Sequence, residues 1–431
     1  MQVNRKLKQK KPREISLFRF FLSNFVPNFR IRLKQSMSYN ITTPTAVAFL
    51  TLRKVRALGE VIFNYHKLYP YFSCNCLLIV IPLLLALTGC TKDGDVIYQT
   101  DPADRASTAP IVTVLYDVNA LGDGSYNDLI YQGVERAALK HGLRTSQFSP
   151  STYESGQAFL ESLLSQMSNP QDTIRRLFIV AAGAYDDYLR KNNSRLEANP
   201  NVELLYLGTP MPLVGKGSSL HISYYGAMYE AGAIAPTFFS EALVVAANPK
   251  LRAVTEAVNG FTDGFNSDHI TSVIPDKIDR SIVTEYLSDD VAGGFNVSDT
   301  TALRMLTWQE WRSITPLLVP VCGGSGTTFR RLCDLMASYA YMAIDADVTG
   351  PRCPFAAVKH IDRAVARCID QWLTSEGMPK HQTLGLADGY AEVVVHQYDL
   401  SIQKSYKEYL TDELRAKIHQ EAIRKEAEYE E

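Results

Sequence analysis

The sequence predicts an α/β fold with two doubly wound parallel-sheet lobes that are joined by a multi-strand hinge. Short apolar, β-branched segments alternate along the chain with amphipathic segments of helical period. This alternation is typical of parallel sheets that carry helices on both faces. The 342 residues that follow residue 89 are more than one such core usually holds, which favours two lobes.

The alternation begins with an apolar strand over residues 110–116 and a helix over 127–140, in which Ile130 and Val134 share one face. The further predicted elements, in order, are helix 155–167, strand 176–181, helix 185–196, strand 202–207, helix 227–239, strand 243–247, helix 250–265, strand 281–287, strand 317–321, helix 328–338, strand 341–344 and helix 358–373. A charged segment rich in Glu, Lys, Ala and Leu closes the chain over residues 405–431, and it predicts a solvated C-terminal helix.

These elements can be assigned to the two lobes in chain order. The expected bounds are lobe 1 at 110–241 with a return at 348–377, lobe 2 at 242–347 with a return at 378–400, and a C-terminal helix within 401–431. The chain is therefore expected to cross between the lobes near residues 242, 347 and 377.

A short apolar run precedes the predicted lobes. Residues 77–88 contain twelve apolar or small residues in a row, whereas a membrane-spanning helix needs about 20. The tetrapeptide Leu87-Thr88-Gly89-Cys90 looks like a bacterial lipobox, in which the cysteine thiol receives diacylglycerol. We therefore expect residues 1–89 to be a cleaved leader, with a doubtful N-terminal extension, and 90–109 to be a lipidated tether in the bacterial cell envelope, outside the cytoplasm. The alternative is a buried core helix that ends in a cysteine by chance.

The charge distribution separates the leader from the body of the protein. The whole chain has 44 Lys and Arg against 46 Asp and Glu, but residues 1–89 contain fourteen basic residues and only two acidic ones. The remaining residues carry a net charge of −14. An acidic body argues against nucleic acid as a partner, because phosphate binding requires a surplus of Lys and Arg.

Ligands of open parallel sheets bind beyond the carboxyl ends of the strands, so the residues that follow each strand are candidates for a site. Five segments stand at such positions: 117–127, 260–265, 321–328, 344–347 and 355–359. The third contains Gly323-Gly324-Ser325-Gly326, which resembles a phosphate-binding loop but lacks the lysine of a P-loop.

In this order and at these intervals, the five segments resemble the basic membrane protein family of bacterial lipoproteins. The residues that carry the resemblance are Asp123 with Ser125-Tyr126-Asn127, Tyr229-Glu230-Ala231-Gly232, Gly260-Phe261 with Gly264, Gly323-Gly324 with Gly326, Asp345 with Asp347, and Val358-Lys359. The likeness covers roughly residues 110–395. It implies a type I periplasmic-binding-protein fold and a subunit that delivers a purine nucleoside to an ABC permease.

The resemblance also implies how a nucleoside would be held. Tyr126 and Phe261 would stack on the base from opposite lobes, and Asn127 and Asp123 would read its edge. The ribose hydroxyls would be bound by an ionised Asp345 and by a donor such as Lys359, helped by the backbone N–H groups of Gly323 and Gly324. The complete set of expected ligand-binding residues is Asp123, Ser125, Tyr126, Asn127, Phe261, Gly323, Gly324, Asp345 and Lys359.

Several alternatives remain open from the residues alone. Each aromatic side chain can belong to the core, and Asp345 with Lys359 can form a structural ion pair. A lipoprotein enzyme that uses Asp345 and Asp347 is a second hypothesis, although the sequence has no HExxH and no Gly-x-Ser-x-Gly motif. A third hypothesis is a ligand-sensing lipoprotein without transport. No catalytic residue, metal or cofactor is expected.

The cysteines outside the leader leave two possibilities. Cys322, Cys333, Cys353 and Cys368 have no metal-binding spacing. An oxidising compartment would permit two disulfides among them, and four buried thiols are equally compatible with the sequence.

Overall fold

The computed structural model describes residues 95–100, 108–118, 120–171, 173–209, 211–213, 215, 217–269, 279–309, 311, 315–374, 376–396 and 410–431. Contacts divide the chain into two compact units, Met1–Cys90 and Thr91–Glu431, and all described residues belong to the second unit. None of the helices in these ranges is long and apolar enough to cross a membrane. The predicted leader and the predicted lipidation site at Cys90 lie outside the described residues.

The first lobe contains a seven-stranded sheet in the order β1-β3-β2-β4-β5-β6-β13. Its strands are β1 Val96–Thr100, β2 Ile111–Leu115, β3 Arg144–Ser149, β4 Arg176–Val180, β5 Val202–Leu207, β6 Ser218–Ile222 and β13 His381–Leu384. Only β1 runs antiparallel to its neighbour, and the other described pairs are parallel. The carboxyl ends of the parallel strands therefore meet at one edge of the sheet.

Helices cover this sheet on both faces. They are α1 Tyr126–His141, α2 Tyr153–Met167, the short α3 Asp186–Asn192 and α8 Ile361–Leu373. Helix α1 begins where the Ser125 side chain accepts a hydrogen bond from the N–H of Tyr126, and it ends at Gly142, whose φ of 65° suits a residue without Cβ. Its buried face includes Ile130 and Val134, as the helical period predicts.

The second lobe contains two smaller sheets, ordered β10-β9-β7-β8 and β11-β12-β14. The strands are β7 Glu241–Ala246, β8 Ser281–Tyr286, β9 Leu317–Val321, β10 Ala340–Tyr341, β11 Ala343–Asp345, β12 Phe355–Lys359 and β14 Ala391–Val395. The helices are α4 Tyr225–Ile234, α5 Arg252–Asn266, α6 Asp299–Trp308, α7 Gly324–Met336 and the C-terminal α9 Asp412–Glu430. Within the four-stranded sheet every described pair is parallel.

The two lobes have separate hydrophobic cores, and the change from one core to the other locates the crossings. Ile222, Ile361 and Leu384 belong to a core of the first lobe, whereas Tyr224, Val358 and Leu386 belong to the core of the second. The chain therefore crosses at residues 223, 359–360 and 385. The crossings predicted near 242, 347 and 377 are wrong in position, because α4 packs with the second lobe and β12 completes its sheet.

Some predicted elements also need correction. The segment 185–196 is not one helix, since α3 is flanked by 3-10 turns. Val358 and Lys359 end strand β12 and do not open a helix, which begins only at Ile361. Strands β1, β3, β6, β12, β13 and β14 and helix α6 were not expected, because their sequences are short, polar or without a clear period. Strand β1 lies within residues 90–109 and pairs with β3, so this part of the expected tether belongs to the sheet of the first lobe.

The C-terminal helix α9 is not solvated on all sides. Leu414, Ile418 and Ala422 are buried in the core of the second lobe. Glu426 accepts hydrogen bonds from the N–H groups of Gly226 at 3.1 Å and Leu386 at 2.8 Å. The helix is therefore an integral part of the second lobe.

The four cysteines of the body are free and buried. Burial raises the pKa of Cys333, Cys353 and Cys368 to about 12, so these thiols stay protonated at neutral pH. The structure therefore agrees with four small buried side chains and contains no disulfide among these residues.

Candidate functional site

A cavity of about 170 Å³ lies between the lobes at the carboxyl ends of the strands. The first lobe contributes residues that follow β2 and open α1. The second lobe contributes the ends of β11 and β12 and the loops that follow β8 and β9. The lining side chains and backbone groups discussed below are Asp117, Tyr126, Asn127, Tyr224, Phe295, Gly323, Gly324, Asp345 and Lys359.

Asp123 organises the loop before α1. Its two carboxylate oxygens accept the N–H groups of Ser125 at 2.8 Å, Asn127 at 3.1 Å and Asp128 at 3.2 Å, and also Nδ2 of Asn127 at 2.9 Å. Burial raises the pKa of Asp123, and these hydrogen bonds oppose the shift. Its carboxylate is thus occupied within the loop, and Asp123 lines a smaller neighbouring cavity and not the main one.

Two hydrogen bonds join the lobes beside the cavity. Ser125 Oγ donates to Asp345 Oδ2 at 3.3 Å, and Thr327 Oγ1 donates to the carbonyl of Asp123 at 2.8 Å. Both partners on the first lobe belong to the loop that opens α1. The predicted residue Ser125 therefore contacts the other lobe, and it too lines the smaller cavity.

Asp345 ends β11 in a conformation that is unusual for a residue with a side chain. Its φ is 64°, and its N–H donates to Tyr224 Oη at 3.0 Å. Asp is among the few residues that tolerate this region. The residue is 8% exposed, and burial raises the pKa of its carboxyl group while the Lys359 ammonium opposes the shift. The backbone thus aims a buried carboxylate at the cavity.

Lys359 places its ammonium group between two aromatic rings. Nζ lies 4.2 Å from the ring centroid of Tyr224 and 5.6 Å from that of Tyr126. In the part of the chain that the structure describes, no carboxylate oxygen lies within 4.0 Å of this ammonium. The structure therefore does not contain the direct Asp345–Lys359 ion pair that the sequence left open, and the ammonium can serve a ligand.

Two further polar groups of the first lobe face the cavity. Asn127 Oδ1 is buried and has no hydrogen-bond partner among the described residues, because Nδ2 of the same amide donates to Asp123. Among the described residues, Asp117 accepts a hydrogen bond only from the N–H of Val118, at 2.7 Å, and burial raises the pKa of Asp117 to about 6. A buried acceptor without a donor costs free energy, so both groups suit N–H or O–H donors of a ligand.

The second lobe adds backbone donors and an aromatic face. Gly323 and Gly324 lie at the N-terminus of α7, where the first N–H groups of a helix have no intrahelical partner. Ser325 Oγ accepts the N–H of Val297 at 2.9 Å and donates to the carbonyl of Gly294 at 2.8 Å. These bonds fix the loop that places Phe295 in the cavity wall.

Phe261 was predicted to stack on a ligand, and the structure places it elsewhere. It is fully buried inside α5, with its ring 5.9 Å from that of Phe265, and it does not line the cavity. The glycines beside it allow α4 and α5 to touch, since a Cβ on Gly264 would lie 2.0 Å from the carbonyl oxygen of Tyr229. The Gly-Phe-x-x-Gly motif is therefore a helix-packing motif.

Asp117, Tyr224 and Phe295 were not among the predicted site residues. Asp117 lies in the segment 117–127, which was already a candidate, so its position was a usable signal. Phe295 follows β8, a predicted strand whose end was not among the five candidate segments. Tyr224 follows β6, and this strand has a polar sequence that the periodicity did not reveal. By contrast, Tyr126, Asn127, Gly323, Gly324, Asp345 and Lys359 all line the main cavity.

The paired carboxylates of the enzyme hypothesis do not converge. Asp347 is bound to His396, with Nε2 of the histidine 2.7 Å from Oδ1. Asp347 does not line the main cavity, whereas Asp345 does. The two groups therefore have no common target at which one could act as acid and the other as base.

Comparison with solved structures identifies the fold. The chain is similar to an ABC transporter system solute-binding protein from Aeropyrum pernix K1, with a TM-score of 0.52 and 16% identity over 74% of this chain and 90% of that one. It is also similar to a transcriptional activator of the comK gene from Bacillus halodurans, with a TM-score of 0.52 and 15% identity over 73% of this chain and 96% of that one. No protein-family model and no curated protein matches the chain. The chain has the type I periplasmic-binding-protein fold, as the sequence predicted.

Proposed function

We propose that this protein is a solute-binding lipoprotein that encloses a small ligand, a purine nucleoside, between its lobes and delivers it to an ABC permease. The observation that carries the proposal is the cavity between the lobes, where Asn127 and Asp117 from one lobe oppose Asp345 and Lys359 from the other. Charged and polar groups that converge in a cleft with few protein partners are typical of a binding site. The converging groups favour binding over catalysis.

One set of these groups would contact the base of a nucleoside, and another set would contact its ribose. Tyr126 and Phe295 face the cavity from opposite lobes and would stack on the base, with Phe295 in the role first expected of Phe261. Asn127 Oδ1 and Asp117 would accept N–H groups of the base. The ribose hydroxyls would donate to Asp345 and accept from Lys359 and from the N–H groups of Gly323 and Gly324.

The proposal includes a lipid anchor at Cys90 in the bacterial cell envelope. It rests on the lipobox sequence and on the short apolar run before it. Metabolic labelling with a radioactive fatty acid should mark the wild type and leave the Cys90→Ala variant unlabelled. Label that persists in this variant would contradict the anchoring proposal without affecting the binding proposal.

A thermal-shift screen of the purified protein against nucleosides, free bases, sugars and amino acids tests the ligand class. A ligand at 100 times its dissociation constant adds about 2.7 kcal/mol of stability. Stabilisation by a purine nucleoside is expected. Stabilisation by a sugar or an amino acid, with no effect of any nucleoside, would refute the nucleoside assignment and retain a two-lobed binder.

An Asp345→Asn variant sharpens this test, because asparagine also tolerates a positive φ. Loss of the charged acceptor should weaken the binding of nucleosides more than that of free bases, by about 10-fold or more. Asp347→Asn is the matched control, since Asp347 does not line the main cavity. Equal losses for nucleosides and bases would contradict the ribose role.

A further inference from the structure

A second cluster of ionisable groups lies where the first crossing between the lobes begins. It contains His221 of β6, Glu256 of α5 and Glu430 of the C-terminal helix α9. The side chains of His221 and Glu256 are 2% and 0% exposed, and that of Glu430 is 18% exposed. Three distant parts of the sequence thus bring a histidine and two carboxylates together in the interior.

Each carboxylate has one oxygen that accepts a hydrogen bond and one that has only ion-pair contacts. Oε1 of Glu256 accepts the N–H groups of Tyr224 and Tyr225 at the start of α4. Oε2 of Glu430 accepts Nη2 of Arg252 at 3.0 Å. The other oxygens, Oε2 of Glu256 and Oε1 of Glu430, are buried and lack a hydrogen-bond partner among the described residues, as do both ring nitrogens of His221.

The free atoms have the separation of metal ligands. Nε2 of His221 lies 3.2 Å from Oε2 of Glu256 and 3.4 Å from Oε1 of Glu430, and the ligand atoms of the three residues all lie within 4.8 Å of one another. A tetrahedral site with metal–ligand distances of 2.0–2.1 Å has edges of about 3.3–3.4 Å. We propose that His221, Glu256 and Glu430 bind a divalent transition-metal ion of the Zn²⁺ class.

The arginine beside the cluster balances only one of its two carboxylates. Arg252 supplies one positive charge, with Nη2 beside Glu430 and Nε 3.9 Å from Oε2 of Glu256, but there are two carboxylates. A proton on His221 is the competing solution, and the carboxylates raise the pKa of this histidine although burial lowers it. Imidazole and carboxylate are ordinary Zn²⁺ ligands. The hydrogen bonds to Oε1 of Glu256 and Oε2 of Glu430 would orient the two carboxylates towards the metal, as outer-shell contacts do in such sites.

The metal ion would join β6 of the first lobe to α5 and α9 of the second. His221 and Arg252 also line the main cavity. The proposal nevertheless goes beyond nucleoside binding, because the metal uses none of the groups assigned to the ribose or the base and can be measured without an organic ligand. If no nucleoside binds, the proposal of a metal site still stands. If no Zn²⁺ binds, the proposal of nucleoside binding still stands.

The test is a calorimetric titration of the purified, chelator-treated protein with Zn²⁺, followed by Co²⁺ absorption spectra. We expect one equivalent to bind, with the visible bands of a low-coordinate Co²⁺ site. Glu430→Gln should weaken binding at least 10-fold, and His221→Asn should do the same. Glu428→Gln, an exposed change on the same helix, is the matched control.

Circular dichroism establishes that each variant is folded, and Glu430→Gln in the last turn of the chain keeps the test valid if His221→Asn does not fold. Wild-type protein that binds no Zn²⁺ would overturn the proposal and leave a protonated His221 between the carboxylates. Equal Zn²⁺ affinity of the wild type and a folded Glu430→Gln variant would overturn it as well.

Discussion

At the scale of single residues, the cavity depends on groups whose ordinary partners are missing. Asn127, Asp117 and Lys359 each present a polar atom that the described protein does not saturate. Asp123 shows the opposite behaviour, since four donors of its own loop surround its carboxylate. The loop thus uses one acidic residue for its own structure so that its neighbour Asn127 is held with a free acceptor.

The ring of Phe295, which lines the cavity, gives the first prediction at the scale of single residues. Phe295→Ala should weaken nucleoside binding by about 1–3 kcal/mol, roughly 5- to 150-fold, because one stacking face is lost. Phe295→Tyr keeps the face and should bind almost as the wild type. Isothermal titration calorimetry measures both. Unchanged affinity of the alanine variant would exclude Phe295 as a stacking residue.

The acidity of Asp117 gives a second prediction. Burial raises its pKa to about 6 in the folded protein, against about 3.9 in an unfolded chain. Stability is therefore complete below the lower value and falls as the pH rises through the higher one. Asp117→Asn should raise the free energy of unfolding at about pH 8 by up to about 3 kcal/mol, and this gain should shrink towards pH 4.

Urea unfolding at several pH values measures this difference. The exposed Asp289 provides the control, because Asp289→Asn should leave the free energy of unfolding unchanged at each pH. A gain for Asp117→Asn that does not vary with pH would indicate that repacking is its source and would contradict the titration argument.

At the scale of secondary structure, α4 and α5 pack with almost no space between their backbones. A Cβ on Gly232 would lie 2.2 Å from the carbonyl oxygen of Phe261, and one on Gly264 would lie 2.0 Å from that of Tyr229. Gly264→Ala should therefore force the helices apart and lower the free energy of unfolding by at least about 1–3 kcal/mol. Thermal unfolding checks this, with the exposed Asn266→Ala as control. An unchanged midpoint of thermal unfolding in Gly264→Ala would mean that the two helices can separate without a loss of stability.

The strands show which elements could be predicted from the sequence and which could not. Strands β5 and β9 were predicted with both bounds correct, because each is a mainly apolar run that ends abruptly. Strand β6 was missed because its sequence is Ser-Ser-Leu-His-Ile, although all five residues are buried. One of its serines bonds His381 Nδ1 at 2.7 Å, 162 residues away. A partner so distant leaves no periodic signal in the local sequence.

The ligand-binding site, like the strands, was predicted in part from the sequence. The rule that ligands bind at strand ends located six of the nine predicted residues correctly, because parallel strands bring their carboxyl ends together whatever lies between them. It failed for Phe261, where the glycines were interpreted as a loop. Spacing alone does not distinguish a turn glycine from one that lets two helices touch.

At the scale of the whole molecule, three crossings at residues 223, 359–360 and 385 allow the lobes to rotate as units. The cavity between them can bury a ligand only when both lobes contribute walls. Small-angle X-ray scattering should therefore record a smaller radius of gyration when a saturating ligand is added. Profiles that stay the same with and without bound ligand would contradict the hinge mechanism.

The contact between Thr327 and the Asp123 carbonyl offers a way to change closure without changing the ligand site. Thr327→Val keeps the shape of the side chain and removes the donor that joins the lobes at 2.8 Å. A hydrogen bond of this kind contributes about 0.5–1.5 kcal/mol, so the affinity for the ligand should fall about 2- to 12-fold. Thr327 does not line the main cavity, and Thr328→Val is the control on the neighbouring residue. If Thr327→Val binds as tightly as the control, this contact does not contribute to the closed state, and closure must depend on the ligand and on the remaining contact between Ser125 and Asp345.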